Sequence, residues 1–364
     1  MRANIFRPIH VALAGAALIA APALAREPLP VEPGEAWPHP HVEIGMPASL
    51  GGITRSNAIS FAEDYLDVAA VYDTPDGGEA LSLYIFRNTN ADVPVWFEQA
   101  QEAIESRDIY ASPELASGPD IFVLPDAPSV SGLKAAYESP GSSEGRARFK
   151  STGVALFSID GWYVKLRASS TSRSPEALSA WMDAALVEMT FAPTVAASAA
   201  APIADCGSQL VFKKEAKDAP KDGAANLIGG LMGMIAGMPD DESEDDDLAA
   251  TAGPVPVIWC RDSNLGANQN VYRANESVDS YLIAFGDNGN SVLVGPDGAV
   301  ALLGGDKERY SITLKMAGQD ISYVAQNRLP SPKRVMKIVN EDRRTVSVPT
   351  WGDNKTIELS STQF

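Results

Sequence analysis

The stretch VALFSIDGWYVKLRAS, residues 154–169, constrains the fold more than any other part of this chain. Its Asp160-Gly161 pair is the dipeptide that a two-residue β-hairpin selects, because both turn positions require a positive φ. On its second strand inward and outward residues alternate, and a period of two marks a strand with one buried face. Trp162, Val164 and Leu166 are expected to point into a core. Tyr163, Lys165 and Arg167 are expected on a wet face of an antiparallel sheet. A chain with this hairpin at its centre is committed to antiparallel pairing.

Shorter strand signals precede the hairpin at 58–61, 67–72 and 80–87, the last two separated by the turn residues DTPDGG. A helix follows, with Asp92 as its expected cap and Val93, Trp96, Phe97, Ala100, Ala103 and Ile104 on one face. Strands resume at 121–124 and 132–138. After the hairpin, Ser174 and Pro175 open a second helix with Leu178, Trp181, Ala185 and Met189 on one stripe. The order over residues 46–193 is therefore three strands, a helix, antiparallel strands and a closing helix. Together with the ALFSIDGWYVKLRAS hairpin, this order resembles the PsbP-like α/β sandwich, in which helices cover an antiparallel sheet. The resemblance implies a binding module more readily than an enzyme, and it carries no functional residue over to this chain.

Residues 194–204 are small and unpatterned, which makes them the natural linker. Beyond them, residues 205–364 read as mostly β. Strands are expected at 209–213, 255–261, 281–285, 291–294, 299–303, 310–316, 321–326, 334–339, 345–348 and 356–359, separated by turn sequences such as GDNGN, GPDG, PSP and NEDR. Many short antiparallel strands imply a barrel or a sandwich. The fold class expected for the whole is α+β: an N-terminal antiparallel sheet flanked by helices, then a mostly antiparallel β domain with a flexible insertion at 214–254.

The N-terminus has the three parts of a secretory signal: Arg2 and Arg7, the apolar stretch Ile9 to Ala21, and Ala23-Leu24-Ala25 before Arg26. Cleavage is expected after Ala25, giving a periplasmic or secreted protein. Residues 26–45, with five prolines between Arg26 and His41, then read as an extended tether. Removing residues 1–25 takes Arg2 and Arg7 and no acid, so the formal charge goes from −18 to −20. That surface repels phosphate backbones, and nucleic-acid binding is not expected. Cys206 and Cys260, the only cysteines, are expected to form one disulfide in an oxidising compartment.

Catalytic signatures are absent. Of three histidines, His10 leaves with the signal and His39 and His41 lie in the tether, so neither expected domain holds the usual general base and metal ligand. GSSEG at 141–145 matches a serine-hydrolase pattern without a base or a strand-to-helix elbow. Ser131-Gly132-Leu133-Lys134 matches S-x-x-K without its companion motifs. The HPH of residues 39–41 is an incomplete metal site, and no metal, nucleotide or other cofactor is expected. Paired carboxylates remain at Glu63, Asp64 and Asp67 and at Glu98 and Glu102, which with Trp96, Trp162 or Trp259 are the only basis for a glycan hydrolase.

One segment stands apart. Residues 226–238 are a glycine-spaced apolar run, followed by seven acids in eight positions. Leu227, Ile228, Gly229, Leu231, Met232, Gly233, Met234, Ile235, Gly237 and Met238 form a possible interaction loop, and Gly229, Gly233 and Gly237 make a doubled G-x-x-x-G. Thirteen residues are too few to cross a bilayer, and the acids oppose insertion, so an exposed loop is favoured over membrane contact. The function expected is that of an exported, non-enzymatic binding or accessory protein of the bacterial envelope. Its partner would be an unknown protein or envelope component. A carboxylate-dependent glycan hydrolase and a membrane-contacting or assembly factor using residues 226–238 are the alternatives.

Overall fold

The structure, a computed structural model, describes residues 26–360 apart from 33, 125–126, 141–146, 190, 192–199, 213, 221–256, 267, 299–308 and 354–355. The expected signal peptide and its cleavage point, GSSEG, the strand at 299–303 and the loop from Leu227 to Met238 therefore lie outside the described residues. What is described is rich in sheet, mostly antiparallel, with three α-helices.

The first large sheet holds β1 (Glu27–Pro28), β4 (Ser49–Leu50), β5 (Ile53–Ser60), β6 (Asp67–Asp73), β7 (Glu79–Arg87), β8 (Glu114–Leu124), β9 (Ala127–Glu138), β10 (Ser151–Ile159) and β11 (Trp162–Ser170). Its order is β1-β5-β6-β7-β11-β10-β9-β8, with β4 added on β5; a two-stranded ribbon of β2 (Trp37–Pro38) and β3 (Gly45–Met46) stands beside it. The hairpin forms as its turn chemistry requires. Asp160 has φ 47° and Gly161 φ 78°, and Ile159 pairs directly with Trp162. The two faces of this sheet bury different sets. Phe157, Ile159, Val164, Leu166 and Leu83 pack under α2 (Pro175–Val187), whereas Val154, Leu156, Leu133, Ala135 and Tyr163 pack under α1 (Val93–Glu105).

The second sheet holds β12 (Ala204–Asp205), β13 (Trp259–Gly266), β14 (Gln269–Ala274), β15 (Tyr281–Phe285), β16 (Ser291–Pro296), β17 (Tyr310–Lys315), β18 (Gln319–Tyr323), β19 (Arg344–Pro349) and β20 (Glu358–Leu359). They pair in strict chain order, antiparallel except for β12 with β13, and β12 and β20 stand at opposite ends. The described strands thus make an open meander rather than a closed barrel. Tyr272, Leu282 and Ala284 face α1, while Val271, Ile283 and Val292 face α3 (Pro332–Asn340). The layers run α2, first sheet, α1, second sheet, α3, so α1 is buried on both sides.

Several expectations change. Residues 334–339 are the body of α3, not a strand: Ser331 caps it, its Oγ accepting from Arg334 N at 3.4 Å, and Pro332 sits in the first turn. This is the device that opens α2, where Ser174 Oγ accepts from Ala177 N at 3.3 Å. No strand forms at 209–212, where Leu210 N instead donates to Asp262. Asp92 does not cap α1 with its side chain, because its Oδ2 accepts from Trp259 Nε1 at 2.9 Å.

The Pro-rich tether is not loose. Leu29, Trp37, Ile44 and Met46 are buried in the core under α2. The buried Arg55 guanidinium holds this strap by donating to the carbonyls of Met46 (3.1 Å), Pro47 (3.3 Å), Glu32 (3.4 Å) and Glu35 (2.6 Å). Proline removes backbone donors, so a proline-rich segment offers carbonyls, and a guanidinium with five donors is suited to collect them. Residues 214–220, expected to be flexible, are likewise anchored: Ala216 is buried, and Asp218 forms ion pairs with Arg334 at 2.7 Å and Arg343 at 2.5 Å. The described end of the expected linker also packs, with Ala200 in the α1 core.

Candidate functional site

Cys206 and Cys260 are joined in a disulfide across the start of the second sheet, with Cα atoms 4.9 Å apart. Arg273, fully buried in the next strand, secures the same corner through an ion pair with Asp262 at 2.9 Å and donation to the Ser208, Glu276 and Ser277 carbonyls.

Of the carboxylates suggested by sequence, Glu98 and Glu102 are committed to the seam between the sheets. Glu98 pairs with Arg261 at 2.6 Å, and Glu102 accepts from Asn264 at 3.0 Å and Asn270 at 2.6 Å. Burial raises the Glu98 carboxyl above its ordinary range against the pull of Tyr272 and Arg261. Between them Gln99, fully buried, accepts from Tyr272 Oη and Asn270 and donates to the Gly286 carbonyl at 2.9 Å. Glu63 and Asp64 lie in a 3-10 turn, and Asp67 is buried apart from them. Trp96 is fully buried, Trp162 is in the core under α2, and Trp259 is bound to Asp92. Ser131 and Lys134 leave opposite faces of β9. Ser131 Oγ accepts from Ala200 N, and Lys134 pairs with Asp183 of α2 at 2.5 Å.

The two histidines join an aromatic cluster where the strap meets both sheets. His39 lies 4.5 Å from Trp162, and His41 lies 4.9 Å from Trp351 between centroids. His39 Nε2 donates to the Tyr65 carbonyl at 3.1 Å and its Nδ1 accepts from His41 N; His41 Nε2 donates to the Asp64 carbonyl at 2.8 Å. Burial lowers the His39 pKa to about 4. A cleft of about 1250 Å³ opens beside the strap, lined by Pro38, Pro40, His41, Glu43 and Asp160 among others. Three of the four ring nitrogens are occupied by backbone, and no metal-binding group of three ligands occurs among the described residues.

The feature that stands out was not suggested by sequence. α1 covers only part of its face of the first sheet, over β10 and β9 toward the β8 end. Strand register shows what lies beside it. One cross-strand row runs Ala135, Val154, Arg167, Ser82, Val71, Asn57, and the next runs Leu133, Leu156, Lys165, Tyr84, Ala69, Ile59. The α1 end of each row is buried. At the far end Ser82, Val71, Tyr84 and Ile59 are half-buried, Ala69 is buried and Asn57 is exposed. Over β5, β6 and β7 this face is therefore a partly open flank, closed at Asp67, Ala69 and Phe86 and open toward Val71, Ser82 and Asn57.

Lys165 and Arg167 sit at the boundary, only 2% and 6% exposed, not on the wet face expected for them. The alternation was right, but α1 and the 286–290 turn of the second sheet cover this part of the face. Lys165 Nζ pairs with Asp287 Oδ2 at 2.7 Å, donates to the Asp287 carbonyl at 2.6 Å and lies 4.6 Å from the Tyr84 ring centre. Arg167 Nη1 is 3.7 Å from the same Asp287 oxygen, and Nη2 is buried with no hydrogen-bond partner. Burial works to raise the Asp287 carboxyl, but the two cations outweigh it and hold it below its ordinary range. Asp67, at the end of the cluster, is raised by burial to about 7 although Lys165 opposes this. Burial lowers Lys165. Perturbed groups gathered at the edge of an accessible surface make it a candidate site.

No helix among the described residues is long and apolar enough to cross a membrane. Neither a protein-family model nor a curated protein matches this chain.

Proposed function

We propose that the chain is an exported, non-enzymatic binding or accessory protein of the bacterial envelope. In this reading an α+β unit over residues 46–193, of the kind the PsbP-like resemblance implies, carries the binding surface, and the β-rich unit after it braces that surface. The disulfide suits an oxidising compartment, in keeping with the signal-like N-terminus. One observation carries the proposal: the open flank over β5, β6 and β7 ends at a buried basic pair that is not fully neutralised. Buried charge is expensive, and a buried guanidinium nitrogen without an acceptor gains from one that a ligand brings.

A thermal-shift screen of a small-molecule collection tests this, run on the wild type, on Ser82→Trp, which fills the flank, and on Asn57→Trp, which crowds its exposed end. Ligands that stabilise the wild type and lose their effect in Ser82→Trp support the reading. Ligands whose effect is the same in all three proteins, or no stabilising ligand at all, defeat it.

A further inference from the structure

We propose that the open flank takes a small ligand bearing an oxyanion, a carboxylate or a phosphate, and that the free side of the Arg167 guanidinium receives it. This rests on the binding reading above and names its ligand class.

The argument begins with hydrogen-bond capacity. A guanidinium presents five donors in a planar fork and cannot lose its charge, so a buried one must find acceptors. Arg167 has only the longer Asp287 contact on Nη1, while Nη2 is buried and unpartnered. Asp287 does not close the fork: Lys165 holds its side chain at 2.7 Å and its carbonyl at 2.6 Å, and its approach to Arg167 is the 3.7 Å contact.

The local charge points the same way. Lys165 and Arg167 are joined by Arg107, exposed on the turn after α1 and near enough to act on both Asp287 and Tyr110. Asp287 is the one acid that Lys165 and Arg167 share. Burial raises the Asp67 carboxyl, which weakens its opposition to these cations. Two buried cations sharing one acid favour an added acidic group, while the acids of a chain of net charge −18, Asp73 on the same face among them, repel long polyanions.

Access and fit complete the case. Arg167 is paired across the strands with Ser82, and from there the row opens through Val71 to the exposed Asn57. A carboxylate or phosphate matches the guanidinium fork with two oxygens, and the Tyr84 ring offers an apolar floor for the ligand's body.

The test is calorimetric titration with inorganic phosphate and, separately, acetate, in chloride buffer at constant ionic strength. Saturable binding of either, absent for added chloride, is expected, and the two arms tell phosphate from carboxylate recognition. Arg167→Gln should weaken that binding by about tenfold or more. Arg167→Lys, which keeps the charge but not the fork, should remain folded and fall between. Binding of unchanged affinity in both variants, or no binding of either anion, overturns the proposal. If neither anion binds while screen ligands still lose their effect in Ser82→Trp, the ligand class is wrong and the flank stands. If those ligands are also absent, both readings fall.

Discussion

Replacing His39 by Gln isolates the electrostatic consequence of packing the strap. The His39 ring is 6% exposed and donates to the Tyr65 carbonyl, and burial lowers its pKa from 6.5 to about 4. The unfolded chain therefore takes up a proton below pH 6.5 that the folded ring resists until about pH 4. Stability falls through that window as pH falls, then levels off. The linkage integral gives a loss of about 1.4 kcal/mol at pH 5.5 and about 3 kcal/mol at pH 4 relative to pH 8. Gln can keep the donation to Tyr65 but does not titrate. Urea unfolding of wild type and His39→Gln at pH 8, 5.5 and 4 measures the gap between them. The variant starts less stable, having lost ring contacts with Trp37 and Trp162, and the gap should close by about 3 kcal/mol by pH 4. A gap independent of pH would refute the claim that the strap buries a neutral imidazole.

Further predictions address other parts of the seam. Asp67 runs opposite to His39. Its carboxyl is raised from 3.8 to about 7, so the fold favours the protonated form, and this contribution is complete below pH 4 and lost as pH rises through 7. Asp67→Asn should accordingly gain on the wild type by on the order of 2–4 kcal/mol between pH 4 and pH 8 in the same unfolding assay. Replacing both Cys206 and Cys260 by Ser should lower stability by up to about 4 kcal/mol, the chain-entropy value for a separation of 54 residues. Arg55→Ala should cost about 2–4 kcal/mol and free residues 26–46 for limited proteolysis, since four carbonyls lose their donor.

How much of this was legible in the chain follows from what periodicity can report. Residues 154–169 announced their hairpin because turn chemistry and alternation are both local, and the register came out residue for residue. The helix stripes of α1 and α2 were legible for the same reason. The α3 segment was misread because RVMKIV fits a strand as well as a helix by hydrophobicity. The Ser331-Pro332 start signal, the same as that of α2, was the clue that decides it. Alternation also tells which residues share a face but not what covers that face. Lys165 and Arg167 read as solvated because a second sheet arriving from residues 259–349 leaves no mark on residues 162–170. The strap shows the converse: its prolines suggest a tether, and only the distant Arg55 reveals that their carbonyls are held.

The account's central claim is that Arg167 keeps a free donor for an oxyanion at the edge of the open flank. The most direct measurement is a crystal structure from crystals grown in chloride salts and soaked in selenate, whose selenium scatters anomalously. The account predicts an anomalous peak with its oxygens about 3 Å from Arg167 Nη2, on the Ser82 side of β11. A map in which that nitrogen meets only water, with selenate confined to other surface cations or absent, would contradict it.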